Sequence, residues 1–231
     1  MKRSATPFLV ALIATASLAA QAHAALRVPQ VPVLGGTLQA YLNGIGESIN
    51  VGTAQEATNL WTHTASTTTG YTIMIENSPS GGTNVVGMYN GSDASPVLRP
   101  VLLGVQGPEA FSLATFKPGG LLTVNRFDAL GSFISATNYT GVDPTGFGFF
   151  ISNPGGTFYT QDARNPGGKA QALAYKGTGG NAGMWWLCFE DVSVQGGSSD
   201  QDYDDCVIVM ESVNTTPVSR TSWGQLKTRM R

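Results

Sequence analysis

The chain has 231 residues, 29 of them glycine, with only 12% charged side chains and a formal net charge of −2 at pH 7. This balance excludes a generally basic nucleic-acid binder, and the length suits one β-rich domain with a substantial core. Sparse charge beside abundant Gly, Thr, Ser and Asn is the composition of many short strands joined by turns, as in many extracellular bacterial proteins.

Residues 1–24 read as a secretory signal. Lys2 and Arg3 form a positive start, Pro7 to Ala20 an apolar core, and Ala22-His23-Ala24 a cleavage site of the A-x-A kind. Cleavage after Ala24 leaves a mature chain beginning at Ala25. The apolar run is too short to span a bilayer comfortably, so the mature chain is expected to carry no transmembrane segment. Loss of two bases leaves 11 against 15 acids, a net charge of −4. The expected destination is the cell surface or the medium, with the periplasm as the alternative.

Residues 25–36 are spaced by prolines and read as extended. Leu38, Tyr41, Leu42 and Ile45 recur at helical spacing, which predicts one short helix from Thr37 to Ile45, ended by Gly46. Strand-like runs follow at Ser48–Val51, Tyr71–Glu76, Val85–Tyr89, Val97–Leu103, Leu121–Phe127, Phe133–Tyr139, Phe147–Ile151, Gly156–Tyr159 and Ala170–Tyr175. Lys117-Pro-Gly-Gly, Asn153-Pro-Gly-Gly and Asn165-Pro-Gly-Gly predict type II turns, in which Pro sets φ and the next Gly supplies a positive φ. His63 stands alone among threonines, with no catalytic signature around it.

The most informative stretch is 184–213. Trp185 to Phe189 and Cys206 to Val213 are aromatic and β-branched runs, apolar on both faces, and read as paired central strands. Glu190 and Asp191 leave the first run where Asp200, Asp202, Asp204 and Asp205 enter the second, so carboxylates from two chain segments should converge. Seven of the fifteen acids lie between Glu190 and Glu211, and no Lys or Arg occurs from Gly177 to Ser219. Crowded carboxylates without a counter-charge repel. An all-oxygen donor set of irregular shape suits calcium, while magnesium wants stricter octahedral geometry and zinc wants His or Cys. An EF-hand is excluded: Asp200, Asp202, Asp204 and Glu211 fall at loop positions 1, 3, 5 and 12, but Asp205 occupies the required glycine and a strand replaces the second half. The competing reading of these acids is a solvated turn that binds nothing specific.

Phe189-Glu190-Asp191, the Gly/Ser turn and Ser199-Asp-Gln-Asp-Tyr-Asp-Asp resemble the signature of DUF4114-type domains of secreted and cell-surface bacterial proteins. Phe147-Gly-Phe-Phe, Phe158-Tyr159 and Asn165-Pro-Gly-Gly extend the resemblance over about residues 145–213. It implies a β-sandwich with calcium binding, and no known enzymatic reaction. Gln171 stands where that family often has His, and Asp204 where it often has Asn.

Cys188 and Cys206 are the only cysteines, each near the acidic end of its strand. Export makes a disulfide chemically accessible, and two buried thiols are the alternative. No nucleophile elbow, P-loop or HExxH motif occurs. Trp185 and Trp186 could form a sugar-stacking platform, but inside an apolar run at least one should be core. After Asn214 the chain reads as a linker. Trp223, Leu226 and Met230 with Lys227, Arg229 and Arg231 then predict a short amphipathic helix, free to pack on the domain or touch a membrane or other anionic surface.

The fold expectation is all-β: a two-sheet β-sandwich or jelly roll over 37–213, with one short N-terminal helix and a linker and basic tail over 214–231. The functional expectation is a non-catalytic, calcium-binding module at a cell surface or in a matrix, with a glycan or other surface ligand as partner. The alternatives are a secreted hydrolase using the acidic cluster and a structural subunit that polymerises through sheet edges.

Overall fold

A computed structural model of the chain describes residues 37–64, 68–76 and 81–216. The signal, the extended segment before Thr37 and the basic tail lie outside the described residues. One α-helix and thirteen strands are described: α1 (Leu38–Gly44), β1 (Trp61–His63), β2 (Thr68–Glu76), β3 (Val85–Asn90), β4 (Arg99–Leu103), β5 (Phe111–Lys117), β6 (Leu121–Phe127), β7 (Phe133–Tyr139), β8 (Phe147–Asn153), β9 (Gly156–Tyr159), β10 (Ala172–Lys176), β11 (Trp185–Phe189), β12 (Cys206–Met210) and β13 (Val213–Thr215). They form two sheets. One is ordered β13-β1-β8-β3-β4, with β9 also paired to β8; the other is ordered β10-β11-β12-β2-β5-β6-β7. Every pairing is antiparallel. The protein is all-β, as its composition implies.

The two-residue period of a strand explains why β10, β11 and β12 are apolar throughout. Ala172, Ala174, Trp185, Leu187, Phe189, Cys206, Ile208 and Met210 point into the core between the sheets, where they meet Trp61, Met88, Phe147, Phe149 and Ile151. The alternate residues Leu173, Tyr175, Trp186, Cys188 and Val207 form a second core under α1 with Leu38, Leu42, Ile49, Val51 and Tyr203. The helix thus adds a third layer on one half of the seven-stranded sheet. Fully burying side chains of this size is worth about 1.5–3 kcal/mol each, so both cores weigh heavily in stability. Trp185 packs edge-on against Trp61 in the first core, and Trp186 against Tyr41 beside the second. Neither tryptophan is free to stack on a sugar.

Three expectations need correction. Ser48–Val51 is not a strand: the Gln39 side chain donates to Ile49 O at 2.8 Å and accepts the Val51 N–H at 2.9 Å, taking up the backbone groups a neighbouring strand would need. The second concerns Asn153-Pro-Gly-Gly. Gly119 and Gly167 take positive φ values of 79° and 62°, as type II turns require, but Gly155 does not. There Asn153 Oδ1 accepts the Gly155 N–H at 2.7 Å and closes the turn instead. The third is the disulfide. Cys188 lies opposite Val207, and Cys206 opposite Phe189. The one-residue offset puts the sulfurs on opposite faces of the sheet, so no disulfide joins them and both are buried thiols.

The strand β13 pairs with β1, Trp61 opposite Thr215, so the sandwich continues two residues beyond Val213. His63 is half-buried, its ring stacked 4.4 Å from that of Phe116, and burial lowers its pKa.

Candidate metal centre

Glu190 and Asp191 directly follow β11, and alternation sends them to opposite sides. Glu190 is fully buried. Its Oε1 accepts the Tyr203 N–H at 2.6 Å, and its Oε2 accepts the Ser199 hydroxyl. Asp191 instead faces the other sheet. Its Oδ2 accepts from Asn84 Nδ2 at 2.9 Å, and Asn153 Nδ2 donates to its carbonyl at 2.9 Å and to Asn84 Oδ1 at 3.1 Å. Asp191 Oδ1 is buried without a hydrogen-bond partner among the described residues. This network ties the end of β11 to the start of β3 and the end of β8.

Asp200 and Asp202 come from the loop before β12. Gln201 and Tyr203 both take left-handed backbone conformations, with φ of 60° and 59°, which are costly for residues with a Cβ. The Tyr203 side chain anchors this shape. Its ring lies in the second core and its hydroxyl donates to Ala170 O at 3.1 Å. The result brings one ligand oxygen each from Glu190, Asp200 and Asp202 within 4.8 Å of one another.

The other three acids serve elsewhere. Asp204 Oδ2 accepts the Thr37 N–H at 2.9 Å and the Thr37 hydroxyl, so it holds the start of α1. Asp205 Oδ2 accepts the Asp191 N–H at 3.0 Å. Asp191 is committed to the network with Asn84. Of the six acids singled out in the sequence, the fold therefore gathers Glu190, Asp200 and Asp202. Asp191, Asp204 and Asp205 support the ends of the strands and the helix.

Electrostatics carries the mark of this crowding. Burial raises the pKa of Glu190, and Asp200 and Asp202 add to the rise against the hydrogen bonds from Ser199 and Tyr203. Asp202 is raised by burial and then by Asp204 and Asp200. Asp205 is pushed up to about 7, first by burial and then by Asp191, Glu190 and Asp200, although the Asp191 N–H opposes the rise. The donors that reach Glu190 are neutral, and the sequence has no Lys or Arg from 177 to 219. A cluster of this kind can hold a metal ion: its donors are all oxygen, no cation pairs with it among the described residues and one member is wholly buried.

Several partners were not legible in the sequence. Thr37 and Asn84 lie 167 and 107 residues from the acids they bind, and no local pattern marks them. Gln171 braces the turn after β11: its amide nitrogen donates to Val192 O at 2.9 Å and its oxygen accepts the Val194 N–H at 2.6 Å. Ser199, adjacent to the acidic run, was the one partner within reach of local reasoning. Compared with known proteins, the chain matches no family model and no curated protein.

Proposed function

We propose that the protein is an exported, calcium-binding β-sandwich that acts as a cell-surface, matrix or ligand-binding module, with a carbohydrate among the ligands it could take, and without a catalytic step. The observation that carries this reading is the convergence of Glu190, Asp200 and Asp202 at one end of the β11–β12 pair. Their oxygens suit a hard cation, and calcium tolerates the irregular placement better than magnesium does. A bound cation would neutralise carboxylates that otherwise repel, and would tie the end of β11 to the loop that leads into β12. Backbone carbonyls and water commonly complete such a shell. The likeness of 145–213 to DUF4114-type domains and the leader-like first 24 residues support the same reading.

Binding to the folded state alone adds about 2.7 kcal/mol at a hundredfold excess of ligand over Kd. Chelation should therefore lower the melting temperature, and calcium should restore it better than magnesium. Asp202→Ala should remove most of the calcium-dependent shift. Asp143→Ala should keep it, since Asp143 lies outside the cluster and serves its own turn, accepting the Thr145 N–H at 2.8 Å. Absence of calorimetric binding near millimolar calcium, with melting curves indifferent to EDTA, would reduce the cluster to an acidic turn.

A further inference from the structure

The core under α1 takes its sheet residues from β10, β11 and β12. The cross-strand row on that face runs on from Trp186 to Val209 and through β2 to Phe111. Here the sheet holds a pocket of about 350 Å³. Phe111, Leu113, Met184 and Val209 give it apolar walls, and all four are only half-buried. Asn181 and Glu211 give it a polar rim.

The surroundings of the pocket are acidic. Glu211 is exposed, and so is Glu109, two residues before Phe111. Behind the rim, the Asn181 amide donates at 2.7 Å to the buried Glu47 carboxylate. Among the described residues no Lys or Arg lines the pocket. Lys176 is engaged by Glu56 at 3.3 Å and by the Trp185 ring. Lys117 lies four residues beyond Leu113 along β5, about 13 Å away.

The chain carries the complement of this site. No acid follows Glu211, and residues 217–231 hold Arg220, Lys227, Arg229 and Arg231. Trp223, Leu226 and Met230 share one face of the helix that their spacing predicts, and Lys227 stands one turn from Trp223. The segment can also reach. Thr216 is the last described residue, and its N–H donates to Leu60 O at 3.1 Å, beside β1. It stands five residues after Glu211, so the two are at most about 18 Å apart. Trp223 stands seven residues after Thr216, within a reach of about 25 Å.

We propose that this pocket is the docking site of the chain's own segment 217–231, with the Trp223 indole between Phe111, Met184 and Val209 and the Lys227 ammonium on Glu211. Charge selects this occupant over an anionic surface, which the acids around the pocket would repel. None of the residues involved belongs to the Glu190, Asp200 and Asp202 cluster.

Hydroxyl-radical footprinting of the mature protein, read residue by residue by mass spectrometry, tests the docking. Trp223 should be oxidised at least tenfold more slowly than in the synthetic peptide 217–231. Glu211→Lys should raise that rate severalfold, and Glu211→Lys combined with Lys227→Glu should bring it down again. Protection should be the same at every protein concentration, since the segment reaches the pocket of its own copy. Trp223 oxidised as fast as in the peptide would leave the pocket to a separate small molecule and overturn the proposal. Protection that falls on dilution would mean another copy's segment, and protection indifferent to Glu211→Lys would mean docking elsewhere; either result overturns it too. If Glu211→Lys fails to fold, Met184 in Trp223→Ala decides: it should be oxidised severalfold faster once the indole is gone, and an unchanged rate would overturn the proposal.

Discussion

A buried carboxylate can be held by neutral donors, and Glu47, which has no cationic partner among the described residues, is held that way. The Thr178 N–H and hydroxyl donate to it at 2.6 and 2.5 Å, Asn181 Nδ2 at 2.7 Å and Trp186 Nε1 at 2.9 Å. Burial alone would raise its pKa, but these bonds outweigh burial and hold it below the usual glutamate value. A lowered folded-state pKa stabilises above the unfolded value, near 4.5, and that contribution disappears as pH falls through the folded value. Glu47→Gln should therefore cost about 1–3 kcal/mol in urea melts at pH 7, and the deficit should narrow below pH 4.5. A deficit constant with pH would mean that the charge contributes nothing. Glu190 is the opposite case, with a raised pKa and two neutral donors for a charge that its neighbours repel. Glu190→Gln should leave the calcium-free protein at least as stable at pH 7 while abolishing the calcium-dependent rise in melting temperature; loss of stability without calcium would show that repulsion is not the governing term. The crowding of acids was legible from residue counts. Which three converge was not, because that depends on the alternation after β11 and on two left-handed residues in the loop.

At the scale of elements, α1 is only seven residues long, too short to persist alone in water. It survives by burying Leu38 and Leu42 and through the hold of Asp204 on Thr37. Asp204→Ala should destabilise by about 1–2 kcal/mol, as loss of a capping carboxylate does, and amide exchange should quicken over 38–44 before the strands respond. Uniform acceleration would mean that the helix and sheets open together. The helix was legible because its apolar spacing is regular, and β6 and β7 because aromatic and β-branched residues recur between turn signals. β5 was missed because its buried face carries small residues: Ser112 and Ala114 point inward while Phe111 and Leu113 are only half-buried. Its alternation is present in the sequence but inverted in size, so the larger residues mark the wrong face.

For the whole molecule, the all-β class followed from glycine and turn content, whereas the third layer did not. A strand apolar on both faces reads the same whether its second face meets another sheet or a helix. Among the described residues no helix is long and apolar enough to cross a membrane. Export is tested directly by fusing residues 1–24 to a reporter, which should be secreted and recovered without them; an exported product that keeps Met1 to Ala24 would contradict cleavage after Ala24.

The placement of Cys188 and Cys206 on opposite faces gives the protein two built-in clocks. Cys188 is sealed by the layer that α1 completes, and Cys206 by the interface between the sheets. A thiol reagent can reach Cys188 once the helix lifts, but can reach Cys206 only when the sandwich itself parts. Two labelling rates from one sample would then time the two events separately. Burial raises the Cys188 thiol pKa further, with Asp204 adding to the rise, so its reaction in the closed state should be negligible and the measured rate should be that of opening.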